Sequence, residues 1–188
     1  MPMANLANVG IEIHHSQRKL YFALARMLRE RHGAKIHFYV RGPLELRGFK
    51  RRYDTSLWDS ITDSAVFVPA LKAPADPDAL VKEAQALEAR IGEPINTLAI
   101  ANRHLNAGYS PGSFRHPRAP RIAGADQDAV LAGLVAQLRF WDNEIAEKKL
   151  TLILDAGKAA ACMARANGIA YRWFVFARLA SRRAWAHD

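Results

Sequence analysis

Short β-prone runs alternate with amphipathic helical stretches along most of this chain, and that alternation restricts the fold more than any other feature of the sequence. The first run spans Asn8 to His14 and the second Ile36 to Val40. The helical stretch between them begins after Ser16 and ends at Gly33. Strand, helix and strand in this order form a βαβ unit, which pairs its two strands in parallel. We therefore predict a doubly wound, mostly parallel α/β domain.

The same alternation continues along the rest of the chain. Further strands are predicted at Ser64 to Val68, Leu150 to Leu154 and Tyr171 to Phe176. Further helices are predicted at Leu44 to Tyr53, Asp76 to Gly92, Asp126 to Lys149 and Lys158 to Ala166, whereas Ile95 to Ala101 fits a strand or a helix equally. The domain is predicted to span residues 1–177, with residues 178–188 as the start of a helix or a linker to a second domain.

The composition fits an ordinary globular domain. Of the 188 residues, 50% are hydrophobic and 24% are charged, and a chain of this length can bury a core without disulfides. The single cysteine, Cys162, excludes an internal disulfide and predicts a reducing compartment. Residues 1–10 show no secretory signal pattern, and no apolar run approaches the ~20 residues needed to cross a bilayer. We therefore expect a cytoplasmic domain.

A formal net charge of +9 predicts an anionic partner. The positive charge is concentrated in three segments, residues 41–52, 103–121 and 172–183. Nucleic acid is one candidate partner, but the sequence carries no helix-turn-helix, zinc-finger or stacking-platform signature. A basic nucleic-acid-binding module is therefore kept only as an alternative. A non-catalytic scaffold domain that docks a partner through residues 178–185 is a second alternative.

An irregular cationic segment, Asn102 to Arg121, interrupts the alternation. Gly108 and Pro111, with further prolines, exclude a continuous helix or a central strand there. The cationic side chains of the segment, with no carboxylate among them, belong to Arg103, His104, Arg115, His116, Arg118 and Arg121. Guanidinium groups bind phosphate and carboxylate in a bidentate manner, and the aromatic residues Tyr109 and Phe114 favour a loop that packs. We predict that this segment binds an anion.

In doubly wound sheets, ligands bind beyond the carboxyl ends of the strands, where the strand order reverses. Three segments that follow predicted strands are therefore candidate sites: His14-His15-Ser16, Arg41-Gly42-Pro43 and Asp155-Ala156-Gly157-Lys158. His14 and His15 are adjacent at a strand end and point to opposite faces. His15 is a candidate general base because imidazole titrates near neutrality, although a structural or positioning role is favoured.

The segment from Asp155 to Lys158 departs from a P-loop at two positions. Leu152 stands where the first glycine is needed, and Ala159 stands where a serine or threonine is needed. What remains is a glycine turn before a helix N-terminus. Such a turn either holds an anion with its backbone N–H groups or is a plain connection between strand and helix.

Other cofactor and catalytic motifs are not found in the sequence. Gly10 lacks the further glycines of a dinucleotide fingerprint, so neither NAD nor FAD is predicted. His104, His116 and Cys162 lack a set of partner ligands, so no metal site is predicted. No nucleophile elbow of a serine hydrolase is present.

Several spaced segments together resemble a known protein family. They are Arg29-Glu-Arg-His-Gly-Ala-Lys-Ile-His-Phe-Tyr-Val-Arg41, Asn102-Arg-His-Leu-Asn-Ala-Gly-Tyr109 with His116-Pro-Arg118, and Phe140-Trp-Asp-Asn-Glu144 before Asp155-Ala-Gly-Lys158. From Ile11 to Trp185 the chain resembles the N-terminal region of bacterial capsule and surface polysaccharide biosynthesis proteins, which look like two-Rossmann-domain glycosyltransferases. The resemblance implies a single Rossmann-like sheet flanked by helices.

The resemblance also implies a function. In such transferases the N-terminal domain receives the acceptor and the C-terminal domain holds a nucleotide-sugar donor. This chain would then be the acceptor-binding half, without a cofactor of its own and inactive alone. The expected ligand is an anionic glycan or a nucleotide-sugar. The protein could also associate with a membrane surface through its substrate, and it could form a homo-oligomer.

The predicted site combines these segments. Its ligand-binding residues are His14, Ser16, Arg41, Arg103, His104, Tyr109, Arg115, His116, Arg118, Gly157 and Lys158, and its candidate catalytic residues are His15 and His104.

Overall fold

The computed structural model describes residues 6–13, 17–70, 76–101, 127–176 and 183–186. Most of the predicted strands and helices lie within these ranges. The cationic segment from Asn102 to Arg121 and the residues His14, His15 and Ser16 lie outside them.

The described strands form one sheet. They are β1 (Asn8–Glu12), β2 (Lys35–Val40), β3 (Ser60–Asp63), β4 (Leu152–Leu154), β5 (Ala170–Phe176) and β6 (Arg183–Ala186). Their order across the sheet is β3-β2-β1-β4-β5-β6. The first five strands are parallel, and β6 runs antiparallel to β5. The predicted fold class, a mostly parallel Rossmann-like sheet flanked by helices, is therefore confirmed.

Helices lie between most of the strands. They are α1 (Arg18–His32), α2 (Pro43–Arg52), α3 (Phe67–Ala70), α4 (Pro77–Ile91), α5 (Asn96–Ala101), α6 (Gln127–Lys148) and α7 (Lys158–Ala166). Gly33 and Gly92 follow α1 and α4 with φ values of 62° and 73°, a left-handed conformation in which glycine has no Cβ penalty. Asp76 caps α4 because its carboxylate accepts a hydrogen bond from the N–H of Asp78.

The two faces of the sheet carry different side chains because successive strand residues point to opposite sides. On one face, Phe38 of β2 belongs to a buried core cluster with Tyr21 of α1 and Phe49 of α2. On the opposite face, the ring of Tyr39 lies 4.9 Å from the Nζ atom of Lys148, near the end of α6. Helices therefore cover both faces of β2.

Two predicted elements are corrected by the structure. The sequence predicts a third strand at Ser64 to Val68, but β3 lies at Ser60–Asp63 and Phe67–Ala70 is helical. β3 pairs with His37 to Val40 of β2, and this pairing outweighs the β-propensity of the more apolar run after it. Residues 183–186 form β6, through pairing with β5, rather than the start of a helix or a linker. At the ambiguous segment, Asn96–Ala101 is helical.

Packing divides the chain into two compact units. One combines the residues up to Ala65 with those from Asp142 onward and contains the sheet, and the other comprises Val66–Trp141. Within the second unit, a Cβ at Gly133 of α6 would lie only 2.5 Å from the ring of Phe67, so the glycine allows that ring to approach the helix. The assignment of residues 1–177 to one domain stays a prediction. In the described ranges, no helix combines the length and the apolar character needed to cross a bilayer.

Candidate functional site

The strand order reverses between β1 and β4. β1 pairs with β2 on one side and with β4 on the other. The chain passes from β1 to β2 and β3 in one direction and from β4 to β5 in the other. In doubly wound sheets such a reversal is where a ligand crevice is expected, at the carboxyl ends of the two strands.

Asp155 begins the turn after β4 with a left-handed backbone, at a φ of 57°, which aspartate tolerates better than most residues. Its carboxylate accepts hydrogen bonds from the hydroxyl of Tyr21 and from the N–H of Phe174, the latter at 3.4 Å. The hydroxyl of buried Tyr171 donates to the carbonyl of Ala156. Side chains from α1 and β5 therefore hold the backbone of this turn in place.

The N-terminus of α7 follows the turn directly. Gly157 is its N-cap residue and has no side chain with which to cap the helix. The N–H groups of Ala160 and Ala161 bond the Gly157 carbonyl at 3.0 and 3.2 Å. The N–H group of Ala159 precedes these bonds at the helix end, where the helix dipole favours negative charge. A Cβ at Gly157 would meet no atom of the described residues within 4 Å, so they leave space beside the helix end.

Arg41 brings a positive charge to the same edge of the sheet. It follows β2, which is separated from β4 only by β1, a span of roughly 10 Å between strand axes. Its guanidinium group pairs with the carboxylate of buried Glu12, while 50% of the Arg41 side chain remains exposed. The next residue, Gly42, donates its N–H to the Asp63 carboxylate at 2.8 Å. Arg41 is thus held at the edge with part of its charge neutralised.

A buried polar cluster lies just inside this edge, on the face covered by the end of α6. The Lys148 ammonium group donates to the Thr62 hydroxyl at 2.8 Å and to the Glu144 carboxylate. It also lies over the Tyr39 ring. A Cβ at Gly10 would lie 3.2 Å from that ring, so the glycine in β1 makes room for Tyr39. The last turns of α6 are therefore fastened to β2 and β3 by polar contacts.

His37 lies two residues before Tyr39 in β2, on the same face of the sheet and further from the carboxyl edge. Its Nδ1 atom is 2.9 Å from Ser60 Oγ, and its buried Nε2 atom has no hydrogen-bond partner among the described residues. Burial lowers the pKa of His37, and the positive charge of Lys148 lowers it further. Burial and the Glu144 carboxylate raise the pKa of Tyr39 far above its usual range. Both side chains are thereby held neutral at physiological pH.

Sequence reasoning missed this buried polar cluster. In the sheet, Glu12 of β1 lies opposite Tyr39 of β2, and Tyr39 lies opposite Thr62 of β3. Three polar residues at one level of three adjacent strands indicate a polar layer on one face of the sheet. The register that aligns them depends on long-range pairing, which the sequence does not display directly.

Three of the predicted site residues lie at the carboxyl edge: Arg41, Gly157 and Lys158. The remaining predicted residues lie outside the described ranges and stay predictions; they are His14, His15, Ser16, Arg103, His104, Tyr109, Arg115, His116 and Arg118.

Metal binding finds no support in the described part of the chain. No group of three or more His, Cys, Asp or Glu side chains is arranged there to hold a metal ion. Cys162 is a buried thiol in α7.

Comparison of the chain with protein-family models, with curated proteins and with solved structures finds no match in any of the three.

Proposed function

We propose that this chain binds an anionic glycan or a nucleotide-sugar in the crevice between β1 and β4, as the acceptor-binding half of a glycosyltransferase-like protein of surface or capsular polysaccharide biosynthesis. The family part of the proposal is supported by the resemblance of the segments around Arg29 to Arg41, Asn102 to Arg118 and Phe140 to Lys158. We place the protein in the cytoplasm because its single thiol, Cys162, suits a reducing compartment.

One observation carries the binding site. At the reversal of strand order, the turn from Asp155 to Gly157 is held by Tyr21 and Tyr171 and leads into α7, whose N-cap residue has no side chain. Helix N-termini of this kind bind phosphate and carboxylate through backbone N–H groups and the helix dipole. Arg41 supplies a guanidinium group at the same edge. The expected ligand group is therefore a phosphate or a sugar carboxylate.

The Gly157→Asp variant tests this site. Aspartate is a favourable N-cap residue, and the Cβ enters open space, so the variant should fold with unchanged or slightly higher stability. Its carboxylate would occupy the N–H groups and repel an anion. We expect calorimetric titration with UDP-glucose, and with a glucuronate-containing tetrasaccharide, to show binding to the wild type and at least about tenfold weaker binding to the variant.

The matched control is Gly157→Ala, which adds a Cβ without a charge or a capping group. Its affinity should stay within about twofold of wild type, which corresponds to a change in binding free energy of about 0.4 kcal/mol. If neither ligand binds the wild type, or if the aspartate variant binds as tightly as the alanine variant, the proposed site is wrong.

A further inference from the structure

The outer face of α2 carries a second cationic site. A cavity of about 500 Å³ lies there, with Leu44, Arg47, Gly48, Arg51 and Arg52 in its lining. Residues spaced by three and four positions share one face of a helix, so Leu44, Gly48 and Arg51 lie along one line. The other two arginines lie on either side of that line. Three arginine residues therefore border the cavity around Gly48, and the Nε atom of one of them, Arg47, donates to the Pro43 carbonyl at 3.4 Å.

Some arginines of the described residues have carboxylate partners and others do not. Arg29 and Arg41 each form an ion pair, with Asp59 and Glu12, and Arg139 pairs with Glu83. Among the described residues, none of the three cavity arginines forms an ion pair. The carboxylate in the lining belongs to Glu45, which accepts the N–H of Arg41 at 3.0 Å. The cavity therefore carries an excess of two positive charges.

Packing against the described residues does not explain a glycine in the middle of this helix. A Cβ at Gly48 would meet none of their atoms within 4 Å, whereas a Cβ at Gly133 would collide with Phe67. Glycine is the least favourable helix residue after proline. Its effect at position 48 is to keep the floor of the cavity low between the arginine side chains, so that an outside group can approach the backbone of α2.

We infer that this cavity is a second anion-binding site, which takes a phosphate group attached to an apolar moiety. Guanidinium groups bind phosphate oxygens in a bidentate manner, and Arg47, Arg51 and Arg52 all line the cavity. The apolar preference comes from Leu44, whose side chain is 76% exposed at the rim. This site is separate from the crevice at α7 and does not depend on the function proposed for it. A soluble organic phosphate and a phospholipid headgroup share the required chemistry.

The test uses the Gly48→Gln variant in the full-length chain. Glutamine is a good helix former, so the variant should melt about 2 °C higher than wild type, while its side chain fills the depression. A second variant, Arg47→Gln/Arg51→Gln, removes two guanidinium groups. The matched control, Lys19→Gln/Arg31→Gln, removes two exposed cations from α1. All three are made in the Gly157→Asp background, which places a carboxylate in the crevice.

Binding is measured for hexyl phosphate in solution and for vesicles of phosphatidylglycerol in phosphatidylcholine. We expect one of the two probes to bind the parent and the control equally, and to bind both cavity variants at least about 30-fold more weakly. Binding of hexyl phosphate identifies a soluble ligand, and binding of vesicles alone identifies a lipid headgroup. Loss of affinity in the control equal to that in the cavity variants, or no difference between the Gly48→Gln variant and its parent, overturns the inference.

Discussion

Asp155 shows how single residues shape the candidate crevice. Its left-handed φ of 57° is strained for a residue with a side chain, and two hydrogen bonds to its carboxylate, from Tyr21 and Phe174, hold it there. Such strain persists only where the surroundings enforce it. The consequence is a fixed direction for the backbone as it enters Gly157 and α7.

A buried neutral histidine makes stability depend on pH. The pKa of His37 is lowered in the folded protein because the ring is buried and lies near Lys148, so the unfolded chain takes up the proton first as the pH falls. The stability gained by keeping His37 neutral is present above about pH 6.5 and is lost as the pH falls from there towards the lower folded pKa.

Urea unfolding at pH 7.5 and pH 5.5 measures this effect. We expect the stability of the wild type, relative to His37→Gln, to decrease between the two pH values. The matched control is His32→Gln, because His32 is an exposed histidine at the end of α1. A difference between wild type and His37→Gln that is the same at both pH values contradicts the assignment of His37 as a buried neutral group.

Among the elements, α6 has polar contacts at its C-terminal end in addition to buried apolar side chains such as Ile145. The side chains of Lys148 and Glu144 are only 13% and 11% exposed, and Lys148 also bonds Thr62 of β3. A buried pair contributes little net stability compared with apolar residues, but removal of one partner leaves an uncompensated charge. The pair therefore fixes the position of the helix end more than it stabilises the fold.

A double-mutant cycle tests this role of the pair. Lys148→Met should lower the free energy of unfolding by about 3 kcal/mol, because the Glu144 carboxylate stays buried without its partner. Lys148→Met/Glu144→Leu should recover at least about 1 kcal/mol of that loss. Denaturant unfolding of the four proteins gives the coupling. A double variant that is as unstable as the sum of the two single variants contradicts it.

The elements that the sequence predicted well are those with local signals. Asp76 and Gly92 bracket α4, and Gly33 ends α1, because caps depend only on the backbone of the adjacent turn. β3 was misplaced because its position is decided by pairing with β2. The polar cluster around Lys148 was missed for the same reason, since it forms only after three strands and α6 have come together.

At the scale of the whole chain, the net charge is +9, and the cationic side chains differ in whether they pair with a carboxylate. Arg29, Arg41 and Arg139 have carboxylate partners, whereas the cations around Gly48 form no ion pair among the described residues. The sequence located the cationic cluster at residues 41–52 but not the cavity, because the cavity arises from the helical spacing of side chains around a glycine. The local arrangement of cationic side chains therefore indicates an anion-binding site more directly than the net charge does.

The most direct test of the account is to locate the bound ligand by NMR. Isotope-labelled wild-type protein is titrated with the glucuronate-containing tetrasaccharide, and separately with UDP-glucose, while its backbone amide signals are followed. We predict saturable shifts of the amides of Gly157, Lys158 and Ala159, the N–H groups at the start of α7, and loss of these shifts in Gly157→Asp. Saturable shifts confined to residues away from the ends of β1 and β4, or the same shifts in the variant, would contradict the central claim.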